Sequence, residues 1–324
     1  MGKKQWLIPL VLGVSAVLSA QEPSFDLFES GNLRTVREEV QRLDSLESRN
    51  LRGMTPLMVA AKHNERVEVL NFLIESGADV NAQDNYGEAS ILKAAGYNAN
   101  PAVLSALIDA EAELDASYGY LGRTPLMMAA GLNGNPEVVA LLLDNGASLD
   151  KEDNTVQRWT PIFYAASWND NPEVISTLLE NGAKPNRRSS RIGRTPLMEA
   201  IVNHAPPTVV QTLLDAGADP SASGPEGITI LMEAAAFATN PEVLRTLVRG
   251  GAEVDERVPS TGLTPLMIAC LRSGDPRIVE TLLDLGAEAG LEDNYGYTAL
   301  DYLQENRRLR DSEARELLRR RVSN

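Results

Sequence analysis

The chain has 324 residues, a formal charge of −15, 43% hydrophobic and 23% charged residues, and only 5% aromatics. Such a composition belongs to a folded chain rather than a disordered one, and its length exceeds a single ordinary core. Cys270 is the sole cysteine, so no intrachain disulfide can form, and the acidity disfavours nucleic acid as a partner.

Residues 1–20 combine a positive start (Lys3, Lys4) with an apolar run from Trp6 to Leu18 and the small pair Ser19-Ala20. That pattern predicts a cleaved signal peptide, a mature start at Gln21 and an exported chain, periplasmic or secreted. The apolar run is shorter than the roughly 18–20 residues needed to span a bilayer, so no membrane span is expected in the mature form. Residues 21–52 read as an N-terminal cap: they hold helix-compatible stretches, rich in Arg and Glu, without the phrase that follows.

From residue 53 onward one phrase recurs. Thr55-Pro56-Leu57-Met58 returns at Thr124, Thr160, Thr195 and Thr264, with degraded copies at Ala89, Thr229 and Thr298, at spacings of 34, 35, 36, 35, 34, 35 and 34 residues. A Gly follows each full anchor after 22 residues, at 77, 146, 182, 217, 251 and 286, while the second copy has Glu111 in that slot. All the length variation falls beyond this point, so the 22-residue part is the packed half and the remainder a surface loop. Thr-Pro places a capping hydroxyl before a Pro at the first helical position. Paired alanines such as Ala60-Ala61 and Ala129-Ala130 let helices approach closely. A second helix opens at Asn100-Pro101, Asn135-Pro136, Asn171-Pro172, Asn240-Pro241 and Asp275-Pro276, and the Gly stops it. Seven units are expected, at 53–86, 87–121, 122–157, 158–192, 193–226, 227–261 and 262–295. A C-terminal cap with a basic tail fills 296–324. Between the leader and Leu303 lie 21 basic and 41 acidic side chains, a net of −20.

The phrase resembles the ankyrin-repeat family, whose hallmark is Thr-Pro-Leu-His at the first helix and Gly-Ala-Asp beyond the second. The resemblance implies an all-α solenoid of stacked antiparallel helix pairs with β-hairpin finger loops. Here Met58, Leu92, Met127, Phe163, Met198, Met232 and Met267 stand where the family has His. Apolar packing is therefore expected in place of the Thr–His hydrogen bond. The repeat also carries one extra residue in its inter-helix turn.

Little in the sequence suggests catalysis. His63 and His204 are four repeats apart, Cys270 occupies a small packed slot, and neither metal-ligand spacing nor a phosphate-binding glycine loop occurs. Asp84-Asn85 and Asp293-Asn294 read as hairpin-turn chemistry. No catalytic residue, metal or cofactor is expected.

Family geometry implies a concave face of fingers and first helices, on which three columns should lie. One residue before the anchor stand Met54, Glu88, Arg123, Trp159, Arg194, Ile228, Leu263 and Tyr297. Four after come Val59, Lys93, Met128, Tyr164, Glu199, Glu233, Ile268 and Tyr302. Eight after come His63, Tyr97, Leu132, Trp168, Asn203, Phe237 and Arg272. Mixed chemistry within each column predicts exposure. Trp159, Tyr164 and Trp168 are expected to centre a partner site with Met128, Leu132, Phe237 and Tyr97, rimmed by Arg187, Arg188, Arg191, Glu199 and Glu233. The function implied is a monomeric scaffold for a protein partner, basic or mixed in charge. An inhibitor or immunity protein that occludes an exported enzyme is the alternative.

Overall fold

The computed structural model describes residues 25–224, 226–309 and 311–322. The signal peptide expected over residues 1–20 lies outside them. Among the described residues the chain is all-helical: eighteen helices, taken two by two, make nine pairs, from α1 (Asp26–Ser30) and α2 (Leu33–Val40) to α17 (Ala299–Glu305) and α18 (Glu313–Val322). Each first helix packs on the first helix of the next pair and each second helix on the next second, so the molecule is a solenoid with a main core running along it and a small second cluster around Met232. None of the described helices is long and apolar enough to cross a membrane. The fingers between pairs carry isolated antiparallel bridges, such as Gln83 with Ala89 and Glu292 with Thr298, rather than extended strands.

The first helices form the crowded inner layer. In α3 (Pro56–His63) every residue from Pro56 to Ala61 is buried, and the same holds from Pro125 to Gly131 in α7 (Pro125–Leu132). Thr55, Thr124, Thr195, Thr229 and Thr264 cap these helices, each hydroxyl accepting the backbone N–H of the residue three on. The methionine in the family's His slot does more than pack. Met58, Met127 and Met232 each turn their thioether back to the N–H of the capping Thr, at 3.5, 3.4 and 3.4 Å, a weak acceptor closing the box that a carboxylate would normally close. Thr160, followed by Phe163 in that slot, makes no such cap, and its hydroxyl is buried without a partner.

In the seven repeats between the caps the second helix stops at the glycine position, where the backbone is left-handed: Gly146 has φ 88° and Gly251 φ 106°. Glu111 adopts the same conformation at φ 60°, so the second pair ends as the others do despite losing its glycine. Asparagines then tie the layers together. Asn98 Nδ2 donates to the carbonyls of Ala61 and Asn64 one repeat back, at 3.0 and 3.1 Å. Asn133 reaches Ala95 and Asn98, and Asn169 reaches Ala130 and Asn133.

Candidate functional site

Every finger shares one register. The N–H of a turn residue donates to the carbonyl of the residue preceding the anchor: Asp84 to Glu88, Tyr118 to Arg123, Asp153 to Trp159, Ser189 to Arg194, Gly224 to Ile228, Val258 to Leu263, Asp293 to Tyr297. This brings the turn residue, the residue before the anchor and the residue four after it into a triad on the finger-side face. Asp84 and Glu88 clamp Lys93 at 2.7 and 2.9 Å. Asp153 Oδ2 accepts from the Tyr164 hydroxyl at 2.7 Å. Arg194 holds Glu199 at 2.8 Å and reaches across to Glu233 at 2.6 Å. Asp293 accepts from Tyr302.

The three columns expected to be exposed sort into three depths. The column four after the anchor is mostly buried, and here the structure corrects the sequence reading. Met128 is 2% exposed and Tyr164 1%, so neither presents a surface to a partner. The cause is packing onto the preceding repeat. A Cβ on Gly96 would meet Met128 at 3.2 Å, and one on Gly131 would meet the Tyr164 Cβ at 3.4 Å and Trp168 at 3.1 Å. Mixed chemistry in this column reflects charges and hydroxyls satisfied inside the triads, not exposure. Burial, then the bond to Asp153, pushes the Tyr164 phenol above its ordinary range. Burial likewise pushes the Glu199 carboxyl up against the pull of Arg194.

The column before the anchor is half-buried in its middle members, and the column eight after is the exposed one. Trp168 is 44% exposed, Leu132 44%, Tyr97 51% and Phe237 49%. Trp168 stands edge-on to Tyr164, ring centroids 4.9 Å apart, and 5.8 Å from Trp159. Trp159 in turn stacks on Phe163 at 6.0 Å. The Arg123 guanidinium lies over two of these rings, 5.8 Å from Tyr164 and 5.6 Å from Trp168. The result is a rigid aromatic platform, its floor fixed by Tyr164 and its upper edge open beside Leu132. Tyr97 lies one repeat further, under the Lys62 ammonium at 4.9 Å. Phe237 stands apart, two repeats beyond the platform.

Four of the five rim residues are committed elsewhere. Arg187 bridges fingers to Asp150 and Glu152, each at 2.7 Å, and Arg188 donates to the Gly193 carbonyl at 2.6 Å. Arg191 is exposed. Glu199 and Glu233 are spent on Arg194. Sequence reading missed Arg158. It sits at φ 53° where the neighbouring fingers carry glycine, immediately before Trp159, and so holds a conformation that costs a non-glycine residue about 1–2 kcal/mol. The cue was present, since Gly53, Gly87, Gly122 and Gly193 hold the equivalent place.

The candidate chemical residues stay apart. His63 and His204 are exposed at the ends of separate first helices. Cys270 is wholly buried, and burial pushes its thiol up, away from nucleophilic use.

Comparison with known proteins agrees with this geometry. Residues 68–153, 91–189, 133–224 and 231–319 match the family described as ankyrin repeats (3 copies), and 52–82 match a single ankyrin repeat. The chain belongs to the ankyrin-repeat family. Among solved structures it is similar to the human ASB11 ankyrin repeat domain, 26% identical with a TM-score of 0.61, covering 72% of this chain and 99% of that one. It is also similar to mouse NF-kappa-B inhibitor delta, 33% identical over 125 residues, which is 36% of this chain and 38% of that relative.

Proposed function

We propose that the chain is an exported, non-catalytic scaffold that holds a protein partner, basic or mixed in charge, against the face made by its fingers and first helices. It acts as a monomer. One observation carries the reading. Trp168 presents an open aromatic surface over a floor that is already rigid, so a partner can bury it with little loss of side-chain freedom. Arg123 beside it supplies polar chemistry, and Leu132 extends the apolar area. Truncation of Trp168 is expected to weaken binding, whereas Met128 and Tyr164 act from beneath by fixing its position.

Cross-linking in intact cells followed by purification tests this directly. A protein partner cross-linked through the helices Pro125–Leu132 and Pro161–Trp168 is the expected outcome, with a native mass that begins at Gln21. Cross-links confined to the opposite, second-helix face would contradict the site, and retention of residues 1–20 would contradict release by cleavage. An exported enzyme recovered in silenced form would favour the occluding role over a passive scaffold.

A further inference from the structure

Along the finger-side face the triads are charged or hydroxylated until the sixth and seventh anchors, and there the chemistry changes. Val258, Leu263 and Ile268 make one triad wholly apolar, and Gly224 with Ile228 leaves the neighbouring one without a polar group except Glu233, which Arg194 holds. Met232, Val258 and Ile268 form a small buried cluster separate from the main core, roofed by Ile228, Leu263 and Ala236. Above it opens a cavity of about 530 Å³. Apolar groups line this stretch of the wall, where other repeats place ion pairs.

The charges at its edge are not neutral in their availability. Arg272 lines this cavity and the adjoining one that runs on to Arg308. Both arginines are exposed, and among the described residues neither side chain makes an ion pair, unlike Arg194 at the other wall. Asp275, the nearest carboxylate in the second cavity, is engaged by Arg277 at 2.6 Å. At the far end Glu226 stands exposed on its finger. A chain with net charge −15 thus keeps, among the described residues, two arginines without an ion pair at one end of its apolar groove.

We infer that this groove is a second recognition site, distinct from the aromatic platform, which takes an extended peptide carrying one bulky apolar side chain and, one or two residues away, a carboxylate. The apolar side chain fills the cavity between Ile228, Leu263 and Phe237, and the carboxylate pairs with Arg272, with Arg308 beyond it. Phe237, placed two repeats from Trp168, belongs to this site rather than to the platform.

The test uses the full chain labelled at its Ile, Leu and Val methyl groups and titrated with the peptide acetyl-Gly-Ser-Leu-Gly-Glu-Ser-Gly-amide. Ile228, Leu263 and Ile268 signals should move. Replacing the peptide Leu by Ala, or its Glu by Lys, should each weaken binding about tenfold, the ratio expected of one anchoring side chain or one ion pair. Raising salt should weaken the Glu peptide and not the Lys peptide. Arg272→Glu on the protein, at an exposed and unpaired position, should keep the melting temperature and reverse the Glu-over-Lys preference. Trp168→Ala should leave all of these affinities unchanged, so failure of the platform and failure of this groove are read separately. The inference is overturned if the three peptides bind within twofold of one another, if Arg272→Glu leaves their order intact, or if the signals that move are those around Trp168.

Discussion

The first four junctions between repeats and the three that follow solve the same packing problem in different ways. At Asn64, Asn98, Asn133 and Asn169 a buried amide donates twice to carbonyls of the repeat behind it. The equivalent residues further on are His204, Ala238 and Ser273, and the double bond returns only at Asn306. His204 takes a left-handed backbone, φ 60°, and α11 (Pro196–Val202) ends a residue early beside it. A cavity of about 450 Å³ opens between Asp170, His204 and Ala238 where the amide is missing. The fingers show a similar gap. Asn85, Gly119, Asn154 and Ser190 each donate a backbone N–H to the finger behind, the corresponding Pro259 has none to give, and the bond returns at Asn294, which donates to Thr261. The asparagine ladder runs unbroken through the N-terminal half. It lapses at the sixth and seventh repeats, although Arg194 still reaches Glu233 and the Glu288 N–H still donates to Asp255, and it is there that the apolar groove lies open.

Substitutions can break this contrast or sharpen it. The largest effect is expected at Lys93, whose ammonium is 6% exposed against an Asp84 carboxylate 1% exposed. Lys93→Met leaves two carboxylates facing each other without a cation and should cost about 3–5 kcal/mol in urea unfolding. At Ile268, the same position in the seventh repeat, no charge is lost on truncation, so Ile268→Val should cost only about 0.5–1.5 kcal/mol. Asn133→Ala removes bonds of 2.9 and 2.8 Å and strands two buried carbonyls, for about 2–4 kcal/mol. The smallest effect has the opposite sign. Ser273→Asn would offer an amide to the carbonyls of Ala235 and Ala238 and should stabilise by about 1 kcal/mol, with an unchanged urea slope. A loss there would mean that the C-terminal junctions are closed to the ladder by geometry and not merely by residue type.

Much of the fold was legible because its signals are local and periodic. Thr-Pro caps, alanine pairs and the glycine stop lie at fixed distances from the anchor, and even Glu111 revealed its slot by keeping the interval. Asn64, Asn98, Asn133 and Asn169 also keep a fixed place, nine residues after the anchor, with Asn306 at eight, but only their long-range carbonyl partners reveal their role. The triads were harder to see. Their turn residue lies five to seven residues before the anchor, at Asp84, Tyr118, Asp153 and onward, so loop-length changes scatter it from view. Without it, Lys93 and Tyr164 read as surface residues, since variety of chemistry looks alike whether a side chain meets solvent or a buried partner. Trp168 keeps its exposed place because Arg123 and Trp159 reach it without covering it, leaving 44% of it open.

The account rests on that residue. Trp168→Ala is to be measured by thermal melting and by recovery of the cross-linked partner from the same preparation. Because Trp168 is 44% exposed, its removal should lower the melting temperature by no more than about 5 °C. Partner affinity should fall by about 2–4 kcal/mol. A melt that collapses, or a partner retained at full affinity, would contradict the aromatic platform as the binding face.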